Sequence, residues 1–192
     1  MRRRFIFASL AVVLAFVLLG GAGTAALWRS QTSINPGTVT TGNLVLLNGD
    51  SGSQLKNYLF AALSGTAMSP GQSAQAPLTI RNAGTTKFTY GLVGITGNPG
   101  DAASVAFQSA LTVSIVAVGT AAQCPVNGTA ATGTSLYSGP VSSSAQFSAV
   151  QTLLPATTGL LCLRVTFNAS APQTSAAGQL ALTFNWRADQ LR

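Results

Sequence analysis

Few side chains in this chain can do chemistry, and the most informative are two cysteines and three aspartates. The 192-residue sequence contains no histidine and no glutamate, so the commonest general base and the commonest zinc ligand are both missing. Asp50, Asp101 and Asp189 are far apart in sequence and lie beside small residues, which is typical of turns and termini. We therefore predict no catalytic residue, no cofactor and no metal site, and we expect that the protein is not an enzyme.

The cysteines predict a disulfide rather than a reactive thiol. Cys124 and Cys162 make an even count, and thiols of an exported chain tend to be oxidised. Closing a loop of about 38 residues would remove unfolded-state entropy worth about 3 to 4 kcal/mol. Two unpaired buried thiols are the alternative. In the alternating segment 160–168, Leu161 and Leu163 share the inward face, so Cys162 and its bridge are expected on the outside of a sheet.

Residues 1–26 have the pattern of an export signal. Arginines at the start precede an apolar run and then a tail of glycine, threonine and alanine that ends at Ala26. These are the cationic region, the membrane-inserting core and the small cleavage site of a signal peptide, so we expect a secreted mature chain that begins at Leu27. Cleavage after Ala25 and retention as a membrane anchor are the alternatives, because about 20 apolar residues can span a bilayer.

The charge of the chain does not indicate a nucleic-acid partner. The formal net charge of +7 falls to about +4 once three leader arginines are removed, and the remaining basic residues are scattered. A charge of this size allows mild attraction to anionic matrix or wall polymers. The leader meets the membrane and the signal peptidase before cleavage. The charge of the mature chain predicts no partner other than these polymers.

Apolar and polar residues alternate with a period of two along the mature chain, and helical periodicity is rare. The alternation is clearest at 179–187, and similar short runs are separated by turns rich in glycine, asparagine and proline. Short strands at this spacing predict an all-β, antiparallel sandwich, with helical turns only at 57–63 or 105–110. The predicted core residues are Leu78, Ile80, Leu111, Val113, Ile115, Leu163, Val165, Phe167, Leu180, Leu182, Phe184 and Trp186.

Three parts of the sequence resemble the TasA/camelysin family. Residues 23–28 and 41–46 resemble its signal junction and first strand, 70–72 and 78–85 its proline-glycine turn and Asn-x-Gly corner, and 182–186 its last strand. The resemblance implies a jelly-roll sandwich that is exported with a SipW-type signal peptide to the cell surface or extracellular matrix. It also implies fibres of a biofilm matrix, built from copies that each donate an N-terminal strand to a neighbour.

Some family members have been described as metallopeptidases, but this sequence has no HExxH motif with which to support that activity. The organisation we predict is a signal peptide at 1–26, an extended candidate donor strand at 27–39, and a β-sandwich at 40–192. In the donor strand, the apolar anchors are Leu27, Trp28, Ile34 and Val39.

Strand donation works through unpaired backbone groups at a sheet edge, which a segment of another copy completes. Charged residues make up only 7% of the chain, so the lysines that usually protect sheet edges are scarce. The alternative is that residues 27–39 fold back onto their own sandwich or stay mobile. The second functional hypothesis is a monomeric adhesin that binds a polysaccharide or protein through loops 97–101 and 124–140.

Overall fold

The computed structural model of the chain describes residues 42–65 and 67–191. The predicted signal peptide, its cleavage between Ala26 and Leu27, and the donor-strand anchors lie outside these residues. Nine strands and one α-helix form the described part. They are β1 (Leu46–Gly49), β2 (Gln54–Leu55), β3 (Ser73–Asn82), β4 (Phe88–Gly97), α1 (Ala102–Ser109), β5 (Leu111–Val118), β6 (Thr134–Pro140), β7 (Gln151–Leu153), β8 (Thr158–Phe167) and β9 (Leu182–Gln190).

The strands form two antiparallel sheets, which confirms the predicted all-β sandwich. The larger sheet has six strands in the order β2-β1-β3-β8-β5-β6, and the smaller has three in the order β7-β4-β9. The sheets are therefore unequal, and the smaller one has half as many strands as the layer it faces. Both sheets are open, and the edge strands of the smaller one are β7 and β9.

The centre of the core lies on β3, β8 and β5, where alternate side chains point toward the smaller sheet. Val113 lies opposite Val165, and Ile115 opposite Leu163, so the apolar faces of neighbouring strands coincide. The smaller sheet contributes Phe88, whose side chain is fully buried. Eight of the predicted core residues are buried in this cluster: Leu78, Ile80, Leu111, Val113, Ile115, Leu163, Val165 and Phe167.

The last strand differs from the sequence prediction in position and in burial. It begins at Leu182 and ends at Gln190, so Leu180 precedes it. Leu180, Leu182, Phe184 and Trp186 pack against the core but are half-buried rather than buried. The alternation indicated correctly which face of β9 points inward, but it could not indicate how completely that face is covered.

Helix α1 begins three residues earlier than the helical turn predicted at 105–110, because Asp101 caps its first turn. The Asp101 carboxylate accepts a hydrogen bond of 2.7 Å from the backbone N–H of Ser104. This bond is the main cause that lowers the pKa of Asp101 below its ordinary value. The other predicted helical site, 57–63, contains turns instead of a helix.

A disulfide between Cys124 and Cys162 attaches the loop after β5 to the outside of the six-stranded sheet, as predicted. Cys162 is on β8, on the face opposite Leu161 and Leu163. Beside the bridge, the side chain of Gln75 on β3 is only 1% exposed and donates hydrogen bonds of 2.9 Å to the carbonyl oxygens of Pro125 and Thr129. The disulfide-bonded loop after β5 therefore covers the outer face of this sheet at β3 and β8.

Candidate functional site

The smaller sheet ends at β9 with an unpaired edge. β9 pairs with β4 from the Leu182–Gly97 pair to the Gln190–Phe88 pair, and within residues 42–65 and 67–191 no other strand pairs with it. In an antiparallel ladder about half of a strand's N–H and C=O groups point to each side. The far side of this nine-residue strand therefore presents a row of backbone groups that an extended peptide can bind.

The inner face of β9 is apolar and partly uncovered along the same edge. Leu182, Phe184, Trp186 and Ala188 lie at alternate positions, and all four are half-buried against the core. On the facing sheet Leu78 is only 3% exposed. The apolar inner face of β9 is thus incompletely covered, on a strand that also has free backbone groups.

The uncovered margin opens into a continuous groove, which we call the edge groove. A cavity of about 650 Å³ lies between β9 and β1 and is lined by Leu46, Leu78 and Trp186. It shares Phe60 and Leu182 with a second cavity of about 310 Å³. The second cavity shares lining residues with a third of about 920 Å³ near the β8–β9 connection: Gly65, Met68, Phe107 and Leu180. The groove therefore lies along the first part of β9, from Leu182 to Trp186, and continues past its first residue.

Two stacked aromatic rings form part of the groove wall on β9. The rings of Phe184 and Trp186 have centroids 6.5 Å apart and planes that differ by only 16°. Phe147 packs edge-on against Trp186 with centroids 5.7 Å apart. Aromatic pairs in these geometries stabilise each other by about 0.5 to 1.5 kcal/mol beyond their burial. The wall is therefore preformed, which lowers the cost of binding a partner.

The opposite wall of the edge groove is the segment after β2. Tyr58 and Phe60 point into it with ring centroids 6.0 Å apart, while Leu59 between them is 87% exposed. The hydroxyl of Tyr58 donates a 3.4 Å hydrogen bond to Asp50. The pKa of Tyr58 is raised, first by its partial desolvation and second by the negative charge of Asp50. Residues 57–63, predicted only as a site for a helical turn, thus form a groove wall, and the two aromatics at alternate positions were a usable signal for this role.

Asp50 is the acidic residue nearest this wall, and its carboxylate already accepts hydrogen bonds within a turn. Its carboxylate accepts hydrogen bonds of 2.8 Å and 2.6 Å from the backbone N–H groups of Gly52 and Ser53, which lower its pKa. Lys56 lines the groove and supplies a positive charge there. In the described part of the chain, no group of three histidine, cysteine or acidic residues could hold a metal ion. The groove is therefore suited to bind the apolar side chains and the backbone of a peptide.

The described chain starts beside the end of β9. Asn43 donates a 2.9 Å bond to the Thr85 hydroxyl and accepts a 2.8 Å bond from the Thr85 N–H. A Cβ on Gly84 would overlap the Asn43 carbonyl oxygen, so only glycine permits this approach. At the same connection Leu191 donates a 3.0 Å backbone bond to Lys87. We call this end of the sandwich, at residues 83–87, the β3–β4 end.

The two loops predicted as an adhesin surface join different elements of the described structure. Residues 97–101 lead from β4 into the cap of α1. Residues 124–129 cover the outer face of the larger sheet, where Arg164 donates 3.1 Å and 3.0 Å bonds to Gln75 and to the Gly128 carbonyl. None of the cavities described above includes a residue of either loop.

Asp189 lies near the end of β9, where its side chain is paired on the outer face of the strand. Its carboxylate lies 2.9 Å from the Arg187 guanidinium, and both side chains are largely exposed. Such an exposed pair contributes at most about 1 kcal/mol to stability.

The described residues include no helix that is both long and apolar enough to span a membrane. No family model matches the chain, and a search of curated proteins finds no match.

Proposed function

We propose that this protein is a secreted structural subunit of a cell-surface or biofilm-matrix fibre, similar to TasA/camelysin proteins, and that its copies join by β-strand donation. In this proposal residues 1–26 form a signal helix that a signal peptidase removes, and the sandwich has the jelly-roll connectivity that the resemblance implies. Residues 27–39 are the donor strand, and the partners are other copies of the chain and the surrounding matrix or wall polymers.

The observation that carries the proposal is that β9 lacks both a backbone partner and full side-chain cover. Its outer edge lacks a backbone partner among the described residues, and its inner side chains are only half-buried. One extended peptide corrects both, because its backbone completes the sheet and its alternate side chains fill the edge groove. A groove that served a small ligand would not need a free strand edge.

The energetic scale explains why the donor needs large apolar anchors. Pairing along nine residues makes on the order of nine backbone hydrogen bonds, each with a net value of about 0.5 to 1.5 kcal/mol. Association and ordering cost about 4 to 15 kcal/mol, so backbone pairing alone roughly offsets them. Stable assembly therefore depends on the burial of side chains such as Trp28 and Ile34 at about 25 cal/mol per Å².

The test compares the mature chain from Leu27 with a version that begins at Thr40, by size-exclusion chromatography and electron microscopy. The longer protein is expected to form filaments, and the shorter one should remain a monomer. A synthetic peptide of residues 27–39 should then bind the shorter protein and raise its melting temperature, whereas a peptide with Trp28→Ser and Ile34→Ser should not. If both proteins stay monodisperse and neither peptide binds, the strand-donation proposal is wrong.

A monomeric surface-binding module is the second candidate. The observation that favours it is the loop held over the larger sheet by the Cys124–Cys162 bridge, where Val126 is 58% exposed. A rigid loop with an exposed apolar side chain is suited to contact a polysaccharide or a protein. Retention of the version that begins at Thr40 on purified matrix polysaccharide, with loss of retention in Val126→Asp, would favour this candidate.

A further inference from the structure

The direction of the donated strand follows from where the described chain begins. Residue 42 enters the sandwich at the β3–β4 end, where Asn43 bonds to Thr85. β9 runs toward this same end, because its last paired residue, Gln190, lies opposite Phe88. Residue 42, to which the donor segment is joined, therefore lies at the same end of the sandwich as the end of β9.

Two occupants of the edge groove would run in opposite directions. If residues 27–39 filled the groove of their own sandwich, the segment would run toward the β3–β4 end, parallel to β9. If copies stack head to tail in the same orientation, the segment leaves one copy at its β3–β4 end and extends into the next, so that its chain direction is opposite to that copy's β9. Antiparallel pairing is slightly more stable per residue than parallel pairing.

Side-chain sizes along the segment favour the antiparallel direction. Trp28, Ser30, Thr32 and Ile34 share one face of an extended strand, and they span the same length as the four inward side chains of β9. In the antiparallel register Trp28 lies opposite Ala188, and Ile34 opposite Leu182. The small Ser30 and Thr32 then lie opposite the large rings of Trp186 and Phe184.

The parallel register fits less well. It places Trp28 opposite Leu182 and Ile34 opposite Ala188, so two large side chains meet at one end and the groove is underfilled at the other. Opposed residues on one face have Cβ atoms about 4.5 to 5.5 Å apart, where such differences in volume matter.

The geometry points to a second copy of this chain as the occupant of the edge groove, with its residues 28–34 antiparallel to β9 and Ile34 opposite Leu182. This inference rests on the proposed function and adds the polarity and register of the joint. The seven residues from Asn35 to Thr41 then connect the two sandwiches and reach at most about 25 Å when extended, so neighbouring copies lie nearly end to end.

Cysteine pairs in the mature chain test the polarity. Ser33 and Thr183 lie opposite each other on the solvent face in the antiparallel register, whereas Ser33 lies opposite Arg187 in the parallel one. The native cysteines are bridged and only 1% exposed, so they do not compete for the new thiols. Filaments of Ser33→Cys/Thr183→Cys, oxidised after assembly, should give a ladder of cross-linked multimers on non-reducing gels, and Ser33→Cys/Arg187→Cys should not.

Each other result overturns the inference in a recognisable way. A ladder from the Arg187 pair alone means that donation occurs in parallel, which leaves the proposed function intact. A cross-linked monomer from the Arg187 pair means that the segment folds back on its own copy. Filaments in which neither pair cross-links mean that the donor pairs with β9 in another register or lies elsewhere, and either result overturns the register inferred here. A mature chain that forms no filaments overturns both the proposed function and this inference.

Discussion

A lysine at Phe184 should block assembly while leaving the monomer folded. Phe184 points into the edge groove, half-buried, and its ring stacks on Trp186. In the monomer a lysine there can extend its ammonium group through the open side of the groove to water. The monomer then loses the aromatic pair, worth about 0.5 to 1.5 kcal/mol, and part of the burial of one apolar side chain, worth at most about 3 kcal/mol.

In an assembled fibre the same lysine meets a donated strand that closes its route to water. An unpaired charge left in a buried contact costs about 3 to 5 kcal/mol. Since each 1.4 kcal/mol is a factor of ten, the critical concentration for filaments should rise by about 100-fold or more. Sedimentation of filaments over a concentration series measures this value, and circular dichroism establishes that the monomer is folded.

Thr96→Lys is the matched control, because Thr96 is the exposed residue of β4 that pairs with Thr183 and lines none of the cavities of the groove. It adds the same charge to the same sheet, outside the groove. If the two variants shift the critical concentration equally, the effect is one of net charge, and the role assigned to the groove is wrong. A folded Phe184→Lys variant that assembles like the unmodified chain would refute the reasoning as well.

Three further predictions concern the sandwich itself. Replacement of Cys124 and Cys162 together by serine should lower the free energy of unfolding by about 3 to 4 kcal/mol in urea titrations, and a change below about 1 kcal/mol would contradict the loop-closure argument. Burial raises the pKa of Tyr90 to about 12, so its contribution to stability should be complete below its ordinary pKa and lost as the pH rises toward 12. Spectrophotometric titration of the native protein checks this, and a Tyr90 that ionises with the exposed tyrosines would contradict it. Gln75→Ala leaves the Pro125 and Thr129 carbonyl groups without their donor, and we expect a loss of about 1 to 3 kcal/mol in thermal unfolding, compared with little change for the exposed Gln190→Ala.

The parts of the fold that the sequence could predict are those that depend on local alternation. β8 was expected at 160–168 and lies at Thr158–Phe167, and the outward position of Cys162 followed from the same parity. Residues 41–46 resemble a first strand, but β1 begins only at Leu46, because the preceding residues bond to the β3–β4 connection through Asn43 and Val45. Local pattern identifies a strand better than the residues at which its pairing begins.

The candidate site depends on information that periodicity does not contain. The alternation of β9 predicts that Phe184 and Trp186 point inward, and they do. Whether they are covered depends on how many strands each sheet has, and pairs such as Thr89 with Asp189 join residues that are far apart in sequence. The groove wall at Tyr58 and Phe60 was missed for the same reason, since its partner is a strand more than 120 residues later.

The short pairing of β1 with β3 has a mechanical consequence for a strand-linked polymer. Tension applied along the polymer would enter each copy through residue 42 and pass into β1, which is held to β3 by four residue pairs, whereas the proposed joint pairs seven residues of a donor with 182–188 of β9. Both ladders would be pulled along the strand direction, so that their hydrogen bonds share the load. Under stretching, β1 is therefore expected to detach from its own sandwich before neighbouring copies part, because fewer residue pairs hold it.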